Sequence, residues 1–409
     1  MQGKRTLLGI VILGSLVMGL LFIFYGYEQT WKLWNIPVMS PHFADLRSIT
    51  GGAESHALGY DPLINNPQDP WERRMNYPRV WQSLFFLGLN QTHTTLMGIL
   101  FIALFIVGVF LFVGRINHLT AIFLALALFS PAVLFAVERG NNDLLIFFIL
   151  SAALATLKVS PFASILLTNL AVILKLFPLF GVLYLLKDDK RTTVKWLSVS
   201  FVIPLLYILF TFSDLLQIRE ATQKGTSFSY GVNVFGMYLG NHFHLPLLAR
   251  LLFILLSGAV ILIFLAFIFI HNKYIKQHLP NVPYVDGFRM GSGIYIGTFM
   301  LGNNFDYRLI FLLFTIPQLV AWSSHLEGRL KWTARITIAG MMISLWSLLI
   351  FHPLFTLPLG DDFAFVLDEL ANWIVLAGLL YLLIASLPQW LWAEIDKLNS
   401  RTCYPTALN

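Results

Sequence analysis

One cysteine stands in the 409 residues, Cys403 in the C-terminal tail, so no intrachain disulfide can staple this fold. Charge is scarce as well. Only 12% of residues are Asp, Glu, Lys or Arg against 57% hydrophobic, a balance that does not suit a water-soluble domain. Several reaction signatures are missing. The chain has no HExxH pair, no Walker loop, no G-x-S-x-G and no GxGxxG in a suitable context, which removes support for hydrolase and nucleotide-driven chemistries. Neither an internal repeat of the kind that marks many transporters nor a low-complexity tract is visible.

What is present is a series of apolar runs on the length scale of a bilayer core. They fall near 6–26, 94–114, 119–137, 144–157, 161–174, 176–186, 196–213, 246–270, 290–303, 309–323, 335–351 and 370–392. This predicts an all-α polytopic membrane protein, one integral-membrane domain over 1–409 with about twelve transmembrane helices. The first run follows Lys4 and Arg5 as in a signal peptide, but it is too long and lacks a small-residue cleavage site, so it reads as a retained helix. The net charge of +6 reads as topology and not as nucleic-acid binding.

With Lys4 and Arg5 inside, every inner turn carries basic residues: Arg115; Lys158; Lys187, Lys190, Arg191 and Lys195; Lys273 and Lys276; Arg329, Lys331 and Arg335; then Lys397 and Arg401. Both termini then face the cytoplasm, and the compact loops suit a bacterial inner (plasma) membrane. The stretch 161–186 must be split at Lys175, because a single span would put the basic cluster 187–191 outside. Several pieces are then shorter than the roughly 20 residues a bilayer core needs, so their outer ends should stop below the surface and line a cavity. The long loop 27–92, the turn at 138–143, Lys175, the loop 214–244 and the turn 302–308 all fall on the outer face. The polar chemistry gathers on one side.

The turn Glu138-Arg-Gly-Asn-Asn-Asp143 places three charges and two amides between apolar runs. Charges at membrane depth cost roughly 2.5 to 3.5 kcal/mol each on insertion scales, so this density points to function or to tight mutual pairing. The plainer reading is a self-satisfied turn in which Glu138 pairs with Arg139 and an Asn or Asp caps the next helix. Lys175 sits too far from either end of its apolar stretch to snorkel, which calls for a polar cavity or a buried anion; Pro178 suits a helix break there. In Asn303-Asn-Phe-Asp-Tyr-Arg308, an Asn or Asp capping the next helix with Arg308 in its first turn would make a phosphate site. The plainer reading is an Asp306–Arg308 ion pair.

The segment 27–92 carries Asp45, Glu54, Asp61, Asp69 and Glu72 with His42 and His56, and its length marks it as functional. Asp45 precedes a short segment, LRSIT, expected as an interfacial helix. Ser227-Phe-Ser-Tyr-Gly-Val-Asn233 offers hydroxyls, an amide and rings, suited to sugar or lipid head groups and equally to any exposed loop. His242 and His244 lack a nearby carboxylate and read as polar surface, not as metal ligands.

Taken in order, the early Asp of Phe43-Ala-Asp45, the Gly59-Tyr-Asp-Pro62 and Tyr77-Pro78 turns, ERGNND, Lys175-Leu-Phe-Pro178 and Phe305-Asp-Tyr-Arg308 resemble the GT-C superfamily of integral-membrane glycosyltransferases. The resemblance is greatest to glycosyltransferase family 87, which includes polyprenyl-phosphate-mannose-dependent mannosyltransferases. It departs from the family where Arg79, and not a second proline, follows Tyr77-Pro78. The resemblance implies transfer of a hexose, mannose first, from a polyprenyl-phosphate donor to a lipid or glycan acceptor on the extracytoplasmic face. It also implies that Asp45 is the general base.

The residue types suit an inverting transfer. Asp45 would take the proton of an acceptor hydroxyl, and Lys175, Arg308 and Arg139 would stabilise the leaving phosphate in a recessed, low-dielectric site. Glu138, Asn141, Asn142, Asp143, Asp306 and Tyr307 are the candidates for holding sugar or acceptor. The expected partners are the polyprenyl-phosphate sugar, its acceptor and membrane lipids, with no nucleic acid. No cofactor is required; a divalent cation could be held by Asp45, Glu138 or Asp143, but a cationic phosphate site makes it unnecessary. The rival is a multi-span transporter or lipid-linked-glycan flippase, which should distribute its charges through the membrane depth. A polymerase or ligase of lipid-linked glycans usually places its largest outer loop late in the chain, and a membrane scaffold gives no reason to bury these charges.

Overall fold

A computed structural model describes residues 2–270 and 284–403. Lys273 and Lys276, expected in an inner turn, lie outside the described residues. The chain is almost entirely helical: α1 (Gln2–Lys32), α2 (Ala44–Ala57), α3 (Thr94–Phe112), α4 (His118–Leu128), α5 (Pro131–Arg139), α6 (Asp143–Thr156), α7 (Pro161–Leu174), α8 (Lys190–Phe210), α9 (Phe212–Ala221), α10 (Val234–His242), α11 (Pro246–Ile270), α12 (Val285–Leu301), α13 (Ile316–His325), α14 (Gly328–Ile350), α15 (Gly360–Ala385) and α16 (Gln389–Cys403). Nine-residue 3-10 helices run over Phe177–Leu185 and Asp306–Phe314. A minimal antiparallel sheet pairs β1 (Ser229–Tyr230) with β2 (Asn304–Phe305), Ser229 opposite Phe305 and Tyr230 opposite Asn304.

Among the described residues, six helices are long and apolar enough to cross a bilayer, or eight when the bent pairs α4/α5 and Asp306–Phe314/α13 each count as one span. The pairs bend by 49° and 55°. The count of about twelve expected from the apolar runs is larger because α6 and α7 have 14 residues each, 177–185 only 9 and α12 17. Side chains such as Ile23 and Phe24 on α1 are about three-quarters exposed, as suits contact with lipid. Integral-membrane character follows from these helices together.

The breaks have local causes. Ser130-Pro131 and Ser160-Pro161 start α5 and α7: each serine oxygen accepts a hydrogen bond from the backbone N–H three residues on, and each proline sits where no donor is needed. At the end of α7, Lys175 adopts an extended backbone (φ −164°, ψ 124°) and Pro178 lies at the start of the next helix. The predicted split at Lys175 is thus where the helix ends. Packing around it is tight. A side chain on Gly293 of α12 would place its Cβ 2.3 Å from the Phe180 carbonyl oxygen, so glycine lets α12 lie against 177–185. Beneath, Phe147 stacks on Phe314 at 4.4 Å and meets Phe105 edge-on at 5.0 Å.

The segment between α1 and α3 is folded. Asn66 receives the Ser55 hydroxyl at 2.8 Å, and Gln91 Nε2 donates to the Arg47 and Gln68 carbonyls at 2.8 and 3.0 Å. The helix expected at LRSIT extends through 14 residues, 44–57, with Asp45 in its first turn.

Candidate active site

A cavity of about 330 Å³ opens between the 27–92 segment, α5, the 221–228 loop and the 303–308 turn. Asp45, Arg73, Tyr77, Arg139, Tyr307 and Arg308 are among the side chains that line it. Each arrives by its own route. Asp45 stands on the first turn of α2, whose entry is set by Phe43 in a left-handed conformation (φ 61°). Arg139 ends α5, and Gly140 (φ 57°) turns the chain sharply after it. A Cβ on Gly140 would lie 2.9 Å from Phe43 Cβ, so glycine is needed there for both conformation and space. That turn brings Asn141 to Asp45, with Nδ2 donating to Oδ2 at 2.6 Å.

Behind the wall lies a buried charge network. Asp143, fully buried, accepts from Lys175 Nζ at 2.6 Å on Oδ1 and from Arg308 Nε at 3.5 Å on Oδ2. Arg308 Nη1 also donates to Asn304 Oδ1, and its guanidinium lies over the Phe177 ring at 4.5 Å. Lys175 Nζ bonds Asn142 Oδ1 at 2.8 Å and Asn141 Oδ1 at 3.2 Å as well. Glu138 is buried too: its Oε1 accepts from the Met39 N–H at 3.2 Å, and Oε2 lies 3.4 Å from Arg139 Nε. Arg139 is 8% exposed, and its Nη1 is buried without a hydrogen-bond partner among the described residues. A buried guanidinium donor left open at a cavity wall is suited to an anion.

Two side chains of the 27–92 segment tune the rim. Burial pushes the Tyr77 phenol well above its ordinary value, and the nearby Asp45 charge adds to this, so Tyr77 stays a neutral hydrogen-bonding group. Burial alone would lower the Arg73 guanidinium, but its bonds to Asp69 (Nε to Oδ1 3.1 Å, Nη2 to Oδ2 2.8 Å) reverse the balance and raise it. Arg73 Nη2 also reaches the Ala44 carbonyl at 2.5 Å, one residue before Asp45.

All but one of the candidate site residues thus fall into two sets. Asp45, Arg139, Tyr307 and Arg308 face the cavity; Glu138, Asn141, Asn142, Asp143 and Lys175 stand behind them. Lys175, expected at a phosphate, does not line the cavity. Asp306 does not line it either: its N–H donates to the Phe228 carbonyl at 2.8 Å and its buried carboxylate lies in the field of Asp368 and Glu369, so it makes no ion pair with Arg308. The cap expected ahead of Arg308 is absent too, since the helix is preceded by Phe305 without a side-chain cap. At 138–143, the Asn141 oxygen does accept the Asp143 N–H at 2.9 Å. Arg73 and Arg74 line the cavity without having been singled out.

His242 and His244 are exposed. In the 227–233 loop the Tyr230 hydroxyl is buried against Thr298 at 2.8 Å, and of this loop only Phe228 reaches the cavity. Among the described residues no three His, Cys, Asp or Glu side chains are placed to hold a metal ion.

Comparison with protein families matches residues 81–281 to glycosyltransferase family 87, a span that contains 138–143 and Lys175 and excludes Asp45 and Arg308. No curated protein and no solved structure matches. The family match supports a membrane-embedded glycosyltransferase of family 87, with a sugar donor and an acceptor as its substrates.

Proposed function

We propose that this glycosyltransferase moves a hexose, mannose in the first instance, from a polyprenyl-phosphate donor to a hydroxyl of a lipid or glycan acceptor, inverting the anomeric carbon. The observation that carries the reading is one cavity lined by both Asp45 and Arg139, whose buried Nη1 has no hydrogen-bond partner among the described residues. One group suits a proton and the other a phosphate.

Asp45 takes the acceptor proton as the hydroxyl oxygen attacks the anomeric carbon; the bond to the phosphate oxygen breaks and polyprenyl phosphate leaves. General-base help of this kind supplies roughly 10²- to 10⁴-fold in rate. Arg139 and Arg308, both at the wall, stabilise the charge that builds on the phosphate oxygens in the recess. The Tyr77 and Tyr307 rings and hydroxyls flank the sugar, with Arg73 at the rim. No step requires a metal. The segment 27–92 forms one wall of the site, and α12 together with the short helices of 143–185 count as shallow spans, which gives about twelve membrane segments with both termini cytoplasmic and the cavity on the extracytoplasmic face of a bacterial inner membrane.

The test is transfer of radiolabelled sugar by the purified protein from synthetic polyprenyl-phosphate mannose, glucose and arabinose to extracted lipids. Wild type should transfer one of them, and Asp45→Asn should reduce that transfer by about 100-fold or more. Failure with every donor, with Mg²⁺ or Mn²⁺ added, would overturn the reading and favour a transporter.

A further inference from the structure

We infer that Lys175 is a positioning residue that sets the Asp45 carboxylate through the Asn141 carboxamide, and that it does not contact the donor phosphate. The inference rests on the reading of Asp45 as base. An ammonium group has three N–H donors. Here three side-chain oxygens take them: Asn141 Oδ1 at 3.2 Å, Asn142 Oδ1 at 2.8 Å and Asp143 Oδ1 at 2.6 Å. None is left for a ligand.

The same bonds settle which way Asn141 points. Its Oδ1 faces two donors, Lys175 Nζ and the Asp143 N–H at 2.9 Å, so its Nδ2 is turned to Asp45 Oδ2 at 2.6 Å. A flipped amide would set NH₂ against an ammonium and an N–H, and an oxygen against a carboxylate; all three contacts would repel. Lys175 therefore holds the amide, and the amide holds the acid. One Asp45 oxygen is engaged and the other is left for an acceptor hydroxyl, the preorganised geometry that proton transfer needs.

Lys175 is itself fixed. Its side chain is 13% exposed, and the Tyr77, Phe177 and Tyr307 rings stand 5.4, 5.7 and 5.9 Å from Nζ. The extended backbone at the end of α7 directs it there, and Trp81 Nε1 secures that end by donating to the Leu174 carbonyl at 2.9 Å.

The experiment measures kcat and donor KM separately for Lys175→Met, Asn141→Leu and the double variant, with equilibrium binding of polyprenyl phosphate alongside. Asn141→Leu keeps the Lys175–Asp143 pair and so guards against a folding artefact. Each single variant should lower kcat by about 10- to 100-fold with donor KM and polyprenyl-phosphate affinity within about two-fold of wild type, and the double variant should be no worse than the poorer single. A ten-fold rise in donor KM for Lys175→Met, weakened polyprenyl-phosphate binding, or effects that multiply in the double variant would overturn the inference. If wild type neither transfers sugar nor binds polyprenyl phosphate, the functional reading falls first and takes the inference with it.

Discussion

Arg79 grips Asp61 with both terminal nitrogens, Nη1 to Oδ1 and Nη2 to Oδ2 at 2.9 Å each, and turns Nε to Asp214 at 2.8 Å. One guanidinium thus clips the 27–92 segment to the first turn of α9. The chain continues from α9 into the loop that lines the cavity.

The clip has a pH signature. The Arg79 hydrogen bonds hold the Asp61 carboxyl below its ordinary value, against a smaller opposing effect of burial. A carboxyl lowered by folding stabilises the fold above its unfolded value, about 3.9, and loses that contribution as pH falls through the folded value. Arg79→Met should therefore lower the Tm by a constant amount from about pH 5 to 7, and the gap to wild type should close below about pH 4. A gap unchanged down to pH 2.5 would refute this origin.

Arg139 has the open donor, so its loss should be felt in donor binding. Charge-assisted hydrogen bonds contribute about 1.5 to 3 kcal/mol, which predicts a rise in donor KM of roughly 10- to 100-fold for Arg139→Met. Competition by free polyprenyl phosphate should weaken in parallel, while an unchanged inhibition constant would place the phosphate elsewhere.

Asp143 is the shared anion of Lys175 and Arg308. Removing one member of a buried ion pair costs about 3 to 5 kcal/mol, so Asp143→Asn should sharply lower thermal stability in detergent. Asp143→Leu combined with Lys175→Met should recover part of the loss, because the ammonium is removed with its anion and only Arg308 is left without one, although the inferred role of Lys175 makes the double variant slow. Additive destabilisation would show that the pairing is not what holds this region.

Gly140→Ala adds one methyl group in a left-handed backbone conformation, at a cost of about 1 to 2 kcal/mol before any clash. The new Cβ also presses on Phe43, two residues before Asp45. Turnover should fall by more than the change in Tm suggests. Gly140→Asn, which tolerates the backbone but keeps the clash, should show the turnover loss with a smaller stability loss.

Much of this arrangement was legible in the sequence because intramembrane charge is costly. Glu138–Asp143, Lys175 and Arg308 stood out against apolar surroundings, and all belong to the cavity wall or the network behind it. Orientation was not legible. Asp306 and Arg308 are two residues apart, yet in a 3-10 helix they point to different neighbours, and Lys175 could be placed at the site without showing that its donors were already engaged. Arg73 and Arg74 belong to no motif. A signal existed: four arginines, at 47, 73, 74 and 79, in a segment assigned to the outer face run against the positive-inside rule. The β1–β2 pairing left no trace, since two-residue strands carry no period.

The segment after Lys175 is wound as a 3-10 helix over nine residues. At about 2.0 Å rise per residue it covers about 18 Å, where an α-helix of the same nine residues would cover about 13.5 Å. The tighter coil gains roughly 4.5 Å of reach without adding a residue. The depth at which Lys175 meets its three oxygens is therefore written in winding as well as in sequence length: the same nine residues coiled as an α-helix would fall short by roughly 4.5 Å, nearly a full helical turn.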